Sequence, residues 1–142
     1  MKRILIVANQ TAGGAHLRTE VARLIDEGAT RFTFVVPATR PKKGLTWTES
    51  TAHAMAEERM QRAISSLSDL GAVFDGSVGN ERPMDAVMDV LRDQSFDEII
   101  VSTLPHGVSH WLRTDLPARV ARYSGLPVHH IVGVPEEAHA SA

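Results

Sequence analysis

Apolar and polar positions follow one another along the chain in a repeating order of strand and helix. The first apolar run, Lys2 to Ala8, ends in a polar segment, after which apolar residues return at helical spacing as far as Ile25. A β-branched and aromatic run from Phe32 to Val36 predicts the second strand. Because this alternation continues through the rest of the chain, we predict βαβ units and a parallel sheet.

The next two helices have recognisable start and stop residues. Thr46 and Glu49 have capping-box spacing for a long helix that ends at Gly71. Pro83 suits the first turn of the following helix. Apolar stripes that can lie on a sheet are formed by Ala52, Ala56, Met60, Ala63, Leu67 and Leu70 in the long helix and by Ala86, Val87, Val90 and Leu91 in the next.

The three later strands differ in polarity. Residues 72–79 are half polar and contain two glycines, which favours an edge position, whereas residues 96–101 are suited to the centre. A fourth helix and residues 127–132 complete the series. Right-handed crossovers restrict the topology to a few doubly wound orders. Strand polarity then favours one of them, so the sequence predicts an α/β fold: a doubly wound five-stranded parallel sheet, strand order 3-2-1-4-5, with helices on both faces.

Composition narrows the class of protein. The 142 residues suit one domain, which we predict to span residues 1–134 with a mobile tail at 135–142. The net charge of −2 argues against nucleic-acid binding, and no apolar run approaches the roughly 20 residues of a membrane span. The amino terminus lacks a signal-peptide pattern, so we expect a cytoplasmic protein. The absence of cysteine excludes disulfides and thiolate metal sites.

A sheet of this order has a predicted ligand site between its first and fourth strands. The chain winds in opposite directions from these two strands, so the loops at their carboxyl ends diverge and leave a crevice. The candidate ligand-binding residues are Ala8, Asn9, Gln10, Thr11 and Gly13 after strand 1, Val36 in strand 2, and Ser102, Thr103, His106, Gly107 and Ser109 after strand 4.

Each group of candidates also has a purely structural interpretation. Gly13 and Gly14 could bring backbone amides close to an anion, or could simply form a tight turn before a helix. Ser102 and Thr103 could bond a phosphate or a ribose, or could cap backbone groups. Trp111 is interpreted as a core anchor for the last helix.

Motifs for metal binding and catalysis are incomplete. His106 and His110 have a spacing that suits a metal on one helix face, but no third ligand is evident, so we predict no metal site. The sequence lacks a nucleophile elbow, a phosphate-binding P-loop and a dinucleotide fingerprint, and we predict no catalytic residue. Arg40, Lys42 and Lys43 are interpreted as a solvated loop that could also reach a phosphate.

Segments spread over almost the whole chain resemble the universal stress protein (Usp) family, within the adenine nucleotide alpha hydrolase-like group. These segments are Ile4-Leu5-Ile6-Val7-Ala8-Asn9, the long helix from about Thr46 to Gly71, Asp97-Glu98-Ile99-Ile100-Val101, Arg119-Val120-Ala121-Arg122 and Gly125-Leu126-Pro127-Val128. The resemblance implies the strand order given above and a homodimer formed through the last strand.

The chain departs from the family at the residues that hold ATP. Family members that bind ATP carry an acid after strand 1, where this chain has Asn9, and a glycine motif after strand 4. Here Ser102 and Pro105 fall on the two early glycines, and Thr114-Asp115 replaces the final pair. Pro105 removes an amide donor and Asp115 would repel phosphate, so the resemblance is to a divergent member lacking the usual ATP-binding motif. Asp115 is better interpreted as an N-cap or first-turn residue of a helix entered through Pro117.

Three functional hypotheses follow. The first is a non-enzymatic, stress-responsive regulatory or binding protein that does not bind ATP in the usual way. The second is a switch that binds an adenine nucleotide, AMP or ATP, through the altered loop, with AMP using Asn9, Val36 and the 102–109 segment. The third is a phosphate- or adenylyl-transfer enzyme with His106 or His110 as acid or base.

Overall fold

A computed structural model describes residues 2–9, 11–38, 49–105 and 110–133 of the chain. Its strands are β1 (Lys2–Val7), β2 (Ala29–Pro37), β3 (Val73–Gly79), β4 (Glu98–Thr103) and β5 (Val128–Val132). Its helices are α1 (Ala15–Asp26), α2 (Glu49–Leu67), α3 (Pro83–Asp93), α4 (His110–Arg113) and α5 (Leu116–Ser124).

The five strands form one parallel sheet in the order β3-β2-β1-β4-β5, which confirms the predicted topology. The central strand β1 is buried from Ile4 to Val7, as expected of a strand covered on both faces. The half-polar strand β3 lies at an edge, and none of its residues is fully buried. The polarity of β1 and β3 therefore predicted their places in the sheet.

Helices cover both faces of the sheet and give two apolar cores. Ile4 and Ile6 face a core that includes residues of α1 and α2, whereas Leu5 and Val7 face one that includes residues of α3 and α5. Phe32 of β2 stacks on Phe74 of β3 with ring centroids 5.2 Å apart. Alternate residues of β1 thus serve opposite cores, in keeping with the two-residue period of a strand.

The fourth strand is displaced along the sequence from its predicted position. It begins at Glu98 rather than Phe96, and it continues through Ser102 and Thr103, which were expected in the following loop. Before the strand, the Arg3 amide donates to Asp97 Oδ2, and the Asp97 amide donates to the Arg3 carbonyl. Phe96 is buried beneath the guanidinium of Arg3. Contacts with Arg3 therefore hold Phe96 and Asp97 in place, and regular strand structure begins only at Glu98.

Between β4 and β5, residues 110–127 contain two helices rather than the single predicted one. Asp115 separates them and, as predicted, is the N-cap residue of α5, with a proline in the first turn. Its backbone is left-handed, at φ 56°, and its side chain makes no capping hydrogen bond within the described part of the chain. Trp111 is buried in the core beside α5, which confirms its structural interpretation.

The predicted stop residue of α2 lies within the described residues, whereas its predicted cap does not. Gly71 follows α2 and its short 3-10 extension with φ 89°, the left-handed conformation expected of a helix stop. Thr46, the predicted cap of α2, lies outside the described residues, as does the predicted tail at 135–142. None of the helices in the four described ranges is both long and apolar enough to cross a membrane.

Candidate functional site

The ends of β1 and β4 lie side by side at the carboxyl edge of the sheet, where the sequence predicts a crevice. Thr11 Oγ1 and Ser102 Oγ are 2.6 Å apart, although 91 residues separate them in the chain. Both side chains are almost completely buried, at 2% and 1% exposure. The two predicted loops therefore meet, and in this structure their hydroxyl groups satisfy each other.

A residue that the sequence analysis missed closes one side of this contact. The Gly133 amide, just after β5, donates to the Thr103 carbonyl at 2.8 Å. A Cβ atom on Gly133 would lie 3.1 Å from Thr11 Cβ, so the glycine permits the close approach. Gly133 directly follows a predicted strand, and that position was the signal available in the sequence.

Asn9 forms the other side of the site and is held by two buried hydrogen bonds. Its Nδ2 donates to the Pro37 carbonyl at 2.7 Å, and its Oδ1 accepts from Arg59 Nη1 at 2.6 Å. A carbonyl only accepts and a guanidinium only donates, so one orientation of the amide satisfies both partners. The side chain joins the end of β1 to the end of β2 and to α2.

Arg59 is the second residue that sequence analysis missed. Its side chain is 9% exposed, and it lies three residues after Ala56 and four before Ala63, two buried residues of the sheet-facing stripe of α2. A charged residue at helical spacing within an apolar stripe was the sequence signal for it.

Ser102 and Thr103 point to opposite faces of the sheet, as neighbours in a strand do. Ser102 faces Thr11, whereas Thr103 Oγ1 lies 2.9 Å from His130 Nε2 on β5. Only the first of the two predicted hydroxyl residues therefore contacts the loop after β1. Thr103 contributes its carbonyl to the site through Gly133.

The remaining described candidates line or support the edge. Ala8 and Val36 are buried in the core beneath it. Gly13 is exposed in the turn before α1, and Gly14 has an ordinary extended backbone, at φ −79°. The Gly14 amide donates to the Thr11 carbonyl at 3.1 Å, which agrees with the tight-turn interpretation of the glycine pair.

Some predicted site residues lie outside the described residues. They are Gln10, His106, Gly107 and Ser109, together with the basic residues Arg40, Lys42 and Lys43; the side chain of His110 is also outside. In the part of the chain that the structure does describe, no group of three or more histidine or acidic residues could hold a metal ion.

A second polar cluster lies at the opposite, amino edge of the sheet. Glu98 accepts a hydrogen bond from His129 Nε2 at 2.5 Å and pairs with Lys2 Nζ at 2.9 Å. The hydrogen bond from His129, together with Lys2, holds the pKa of Glu98 below its ordinary value. His129 Nδ1 also lies 3.7 Å from Glu20 of α1, so this cluster joins β5 to β4 and α1.

Solved structures confirm the predicted fold resemblance. A universal stress protein in complex with cAMP is 15% identical, with a TM-score of 0.61 over 94% of this chain and 98% of its own. One from Archaeoglobus fulgidus is 22% identical, with a TM-score of 0.60 over 92% and 93%. A universal stress protein family protein from Arabidopsis thaliana with AMP bound is 7% identical, with a TM-score of 0.63 over 96% and 95%.

The likeness rests on structure. No protein-family model matches the chain, and no curated protein matches it by sequence. At identities of 7% to 22% the comparison establishes the fold, which is that of the universal stress proteins.

Proposed function

We propose that this protein is a non-enzymatic, Usp-like binding or regulatory protein whose crevice takes a small adenine nucleotide, AMP or cAMP, rather than ATP held in the usual way. The observation that carries the proposal is the convergence of buried polar side chains at the ends of β1 and β4. Asn9, Thr11 and Ser102 lie there, at the point where a doubly wound sheet of this order places its ligands.

The structural neighbours support the choice of ligand. Two of them, with the same fold over more than nine-tenths of the chain, hold cAMP and AMP. The polar groups of this site offer hydroxyl and amide contacts that suit a ribose or a single phosphate. A ligand would exchange its own hydrogen bonds for the one between Thr11 and Ser102.

The strand-4 end argues against ATP bound in the usual way. Ser102 places a buried side chain against Thr11 where the resemblance expects a glycine. Pro105 has no amide to donate, and the left-handed Asp115 brings a carboxylate to the start of α5. Pro105 cannot donate a hydrogen bond to a triphosphate chain, and the carboxylate of Asp115 would repel it.

Titration calorimetry with AMP, cAMP and ATP tests the proposal. We expect micromolar or tighter binding of AMP or cAMP and at least tenfold weaker binding of ATP, a difference of about 1.4 kcal/mol. Ser102→Val should weaken nucleotide binding, whereas Ser77→Ala, an exposed change on the distant edge strand β3, should leave it unchanged. The absence of heat with all three nucleotides would refute the proposed ligand.

We further propose that two copies associate through β5 to give a homodimer. This strand lies at the edge of the sheet and pairs with β4 on one side, while Val132 is an exposed apolar residue near its end. Light scattering during size-exclusion chromatography should give twice the chain mass, and Val132→Lys should favour the monomer. A clean monomer for the unchanged protein at micromolar concentration would rule this out.

A further inference from the structure

One side of α5 presents two arginines and a tyrosine to solvent. The helix packs against the core through Leu116 and Val120, which are buried. Arg119 and Arg122 are exposed, and Tyr123 is 45% exposed, although it is a large aromatic residue. Residues three and four apart are neighbours on a helix surface, so Arg119 lies beside both of the others. We call these three residues the arginine-tyrosine face.

The two arginines of this face carry charge that the described part of the chain does not neutralise. Neither side chain forms an ion pair or a hydrogen bond there, although Asp115 lies one turn earlier. Exposed arginines of other helices do contact a carboxylate: Arg62 pairs with Glu58 along α2, and Arg92 pairs with Asp89 along α3. The charges on α5 therefore remain available to a binding partner.

The helix itself accounts for only one of these charges. Arg122 lies in the last turn, where the helix dipole favours a cation. Arg119 lies in the middle of the helix and gains nothing from the dipole, while like charges on neighbouring positions of a helix repel each other. A negative charge on a partner would remove this repulsion, so the arrangement is better suited to a complex than to the isolated chain.

We infer that the arginine-tyrosine face binds an acidic peptide segment of a partner protein. Carboxylates form charge-assisted hydrogen bonds with guanidinium groups, and an apolar side chain of the segment would pack on the ring of Tyr123. Arginine and tyrosine are also among the residues that most often dominate the binding energy of protein interfaces. A nucleic acid fits less well, because the chain has a net charge of −2 and backbone binding depends on many cations.

Fluorescence anisotropy on the full chain tests the inference with a defined probe, a labelled peptide of repeated Glu-Glu-Leu-Phe units. The comparison peptide has glutamine in place of every glutamate. Because a single helix face gives a small interface, we expect a dissociation constant on the order of 10 to 100 μM for the acidic peptide. The glutamine peptide should bind at least about tenfold more weakly, and added salt should weaken only the binding of the acidic peptide.

Substitutions on the face identify the residues responsible. Arg119→Gln combined with Arg122→Gln should weaken binding of the acidic peptide at least about tenfold. Tyr123→Ala should weaken it about threefold to tenfold, whereas Tyr123→Phe keeps the ring and should bind nearly as well. Arg92→Gln is the matched control, an exposed helical arginine on α3 whose loss should leave binding unchanged. Circular dichroism establishes that each variant is folded.

Amide chemical shifts measured during a titration locate the contact. The acidic peptide should shift resonances of α5 most strongly, which a purely structural role of the arginines would not produce. Shifts confined to other elements, equal affinity for the two peptides, or unchanged affinity in the double arginine variant would each overturn the inference. So would the absence of binding at about 1 mM peptide.

Two alternative occupants of the face have their own signatures. Tighter binding of a single-stranded oligonucleotide than of the acidic peptide, lost in the double arginine variant, would assign the face to nucleic acid instead. A change of oligomeric state in that variant, measured by light scattering, would make the face a contact between copies of this chain. Either result would overturn the inference of an acidic peptide partner.

Discussion

Thr11 and Ser102 share a buried hydrogen bond, with their hydroxyl oxygens 2.6 Å apart at the carboxyl ends of β1 and β4. The bond joins the turn after β1 to the end of β4, at the point where the chain winds in opposite directions from these two strands. Gly133 packs against Thr11 from the end of β5, so three strands meet at this contact. The polar groups at this edge of the sheet satisfy each other, so a ligand that used either hydroxyl would have to replace the bond between them.

Removing either hydroxyl should destabilise the fold, because each is the buried hydrogen-bond partner of the other. Thr11→Val or Ser102→Ala leaves the other hydroxyl buried without its partner, so each change should lower the free energy of unfolding by about 1 to 3 kcal/mol. The double variant should cost less than the sum of the two, with a coupling of about 0.5 to 1.5 kcal/mol measured by urea denaturation.

A second pair of substitutions tests whether that coupling arises from the contact between the two hydroxyls. Ser66→Ala removes a hydroxyl that donates to the Ala63 carbonyl on α2 at 2.8 Å, away from the crevice. Combined with Thr11→Val, it should be additive within about 0.5 kcal/mol. Additivity of Thr11→Val with Ser102→Ala as well would show that the hydroxyl contact contributes no energy to the fold.

The Glu98 carboxylate should make the protein sensitive to acid. Because His129 and Lys2 favour its ionised form, the pKa of Glu98 is lower in the folded chain than in the unfolded one. Its contribution to stability is therefore fully present above about pH 4.5, the ordinary value, and is lost as the pH falls through the folded pKa.

Glu98→Gln measures this contribution directly. The variant should be less stable than the unchanged protein at pH 7, and the gap should narrow as the pH falls from about 5 to about 3 in urea denaturation series. Ser77→Ala, an exposed change that removes no titratable group, is a suitable control whose effect should stay constant with pH. A gap that is constant with pH would contradict a lowered pKa at Glu98.

Most of the fold could be predicted from the sequence because local pattern and place in the sheet agree. The apolar β1 is central and the half-polar, glycine-containing β3 lies at an edge, each as its own composition requires. The meeting of Thr11 with the strand-4 segment then followed from strand order, since neighbouring parallel strands end at the same edge.

The details of the site depend on features that no local pattern determines. The bond from Arg59 to Asn9 spans 50 residues and requires a particular rotation of α2 over the sheet. Ser102 and Thr103 were expected to act together, but β4 extends through both, so they face opposite sides. The contact of Gly133 with Thr11 depends on the register of β5, which is set by pairing with β4.

Gly76 tests how tightly the edge strand β3 is packed. A Cβ atom at this position would lie 2.7 Å from the Phe34 carbonyl oxygen and 2.8 Å from Phe34 Cβ, so the backbone would have to move. Gly76→Ala should therefore lower the free energy of unfolding by about 1 to 3 kcal/mol or more. The adjacent exposed change Ser77→Ala should cost less than about 0.5 kcal/mol in the same thermal or urea denaturation measurements.

Asp115 provides the sharpest test of backbone strain. It is the one residue other than glycine with positive φ in the described part of the chain, and its side chain caps nothing there. The left-handed conformation costs an ordinary residue about 1 to 2 kcal/mol, and glycine avoids that cost. Asp115→Gly should therefore be neutral or raise the free energy of unfolding by up to about 1 kcal/mol.

Asp115→Ala distinguishes strain from the loss of the carboxylate. Both substitutions remove the charge, but alanine keeps the Cβ atom that opposes the left-handed backbone, so it should be about 1 kcal/mol less stable than the glycine variant. Urea denaturation of the two variants and the unchanged protein measures the difference. If glycine proved the less stable of the two, the backbone at position 115 would not be under strain, and the carboxylate would not account for the result because both variants lack it.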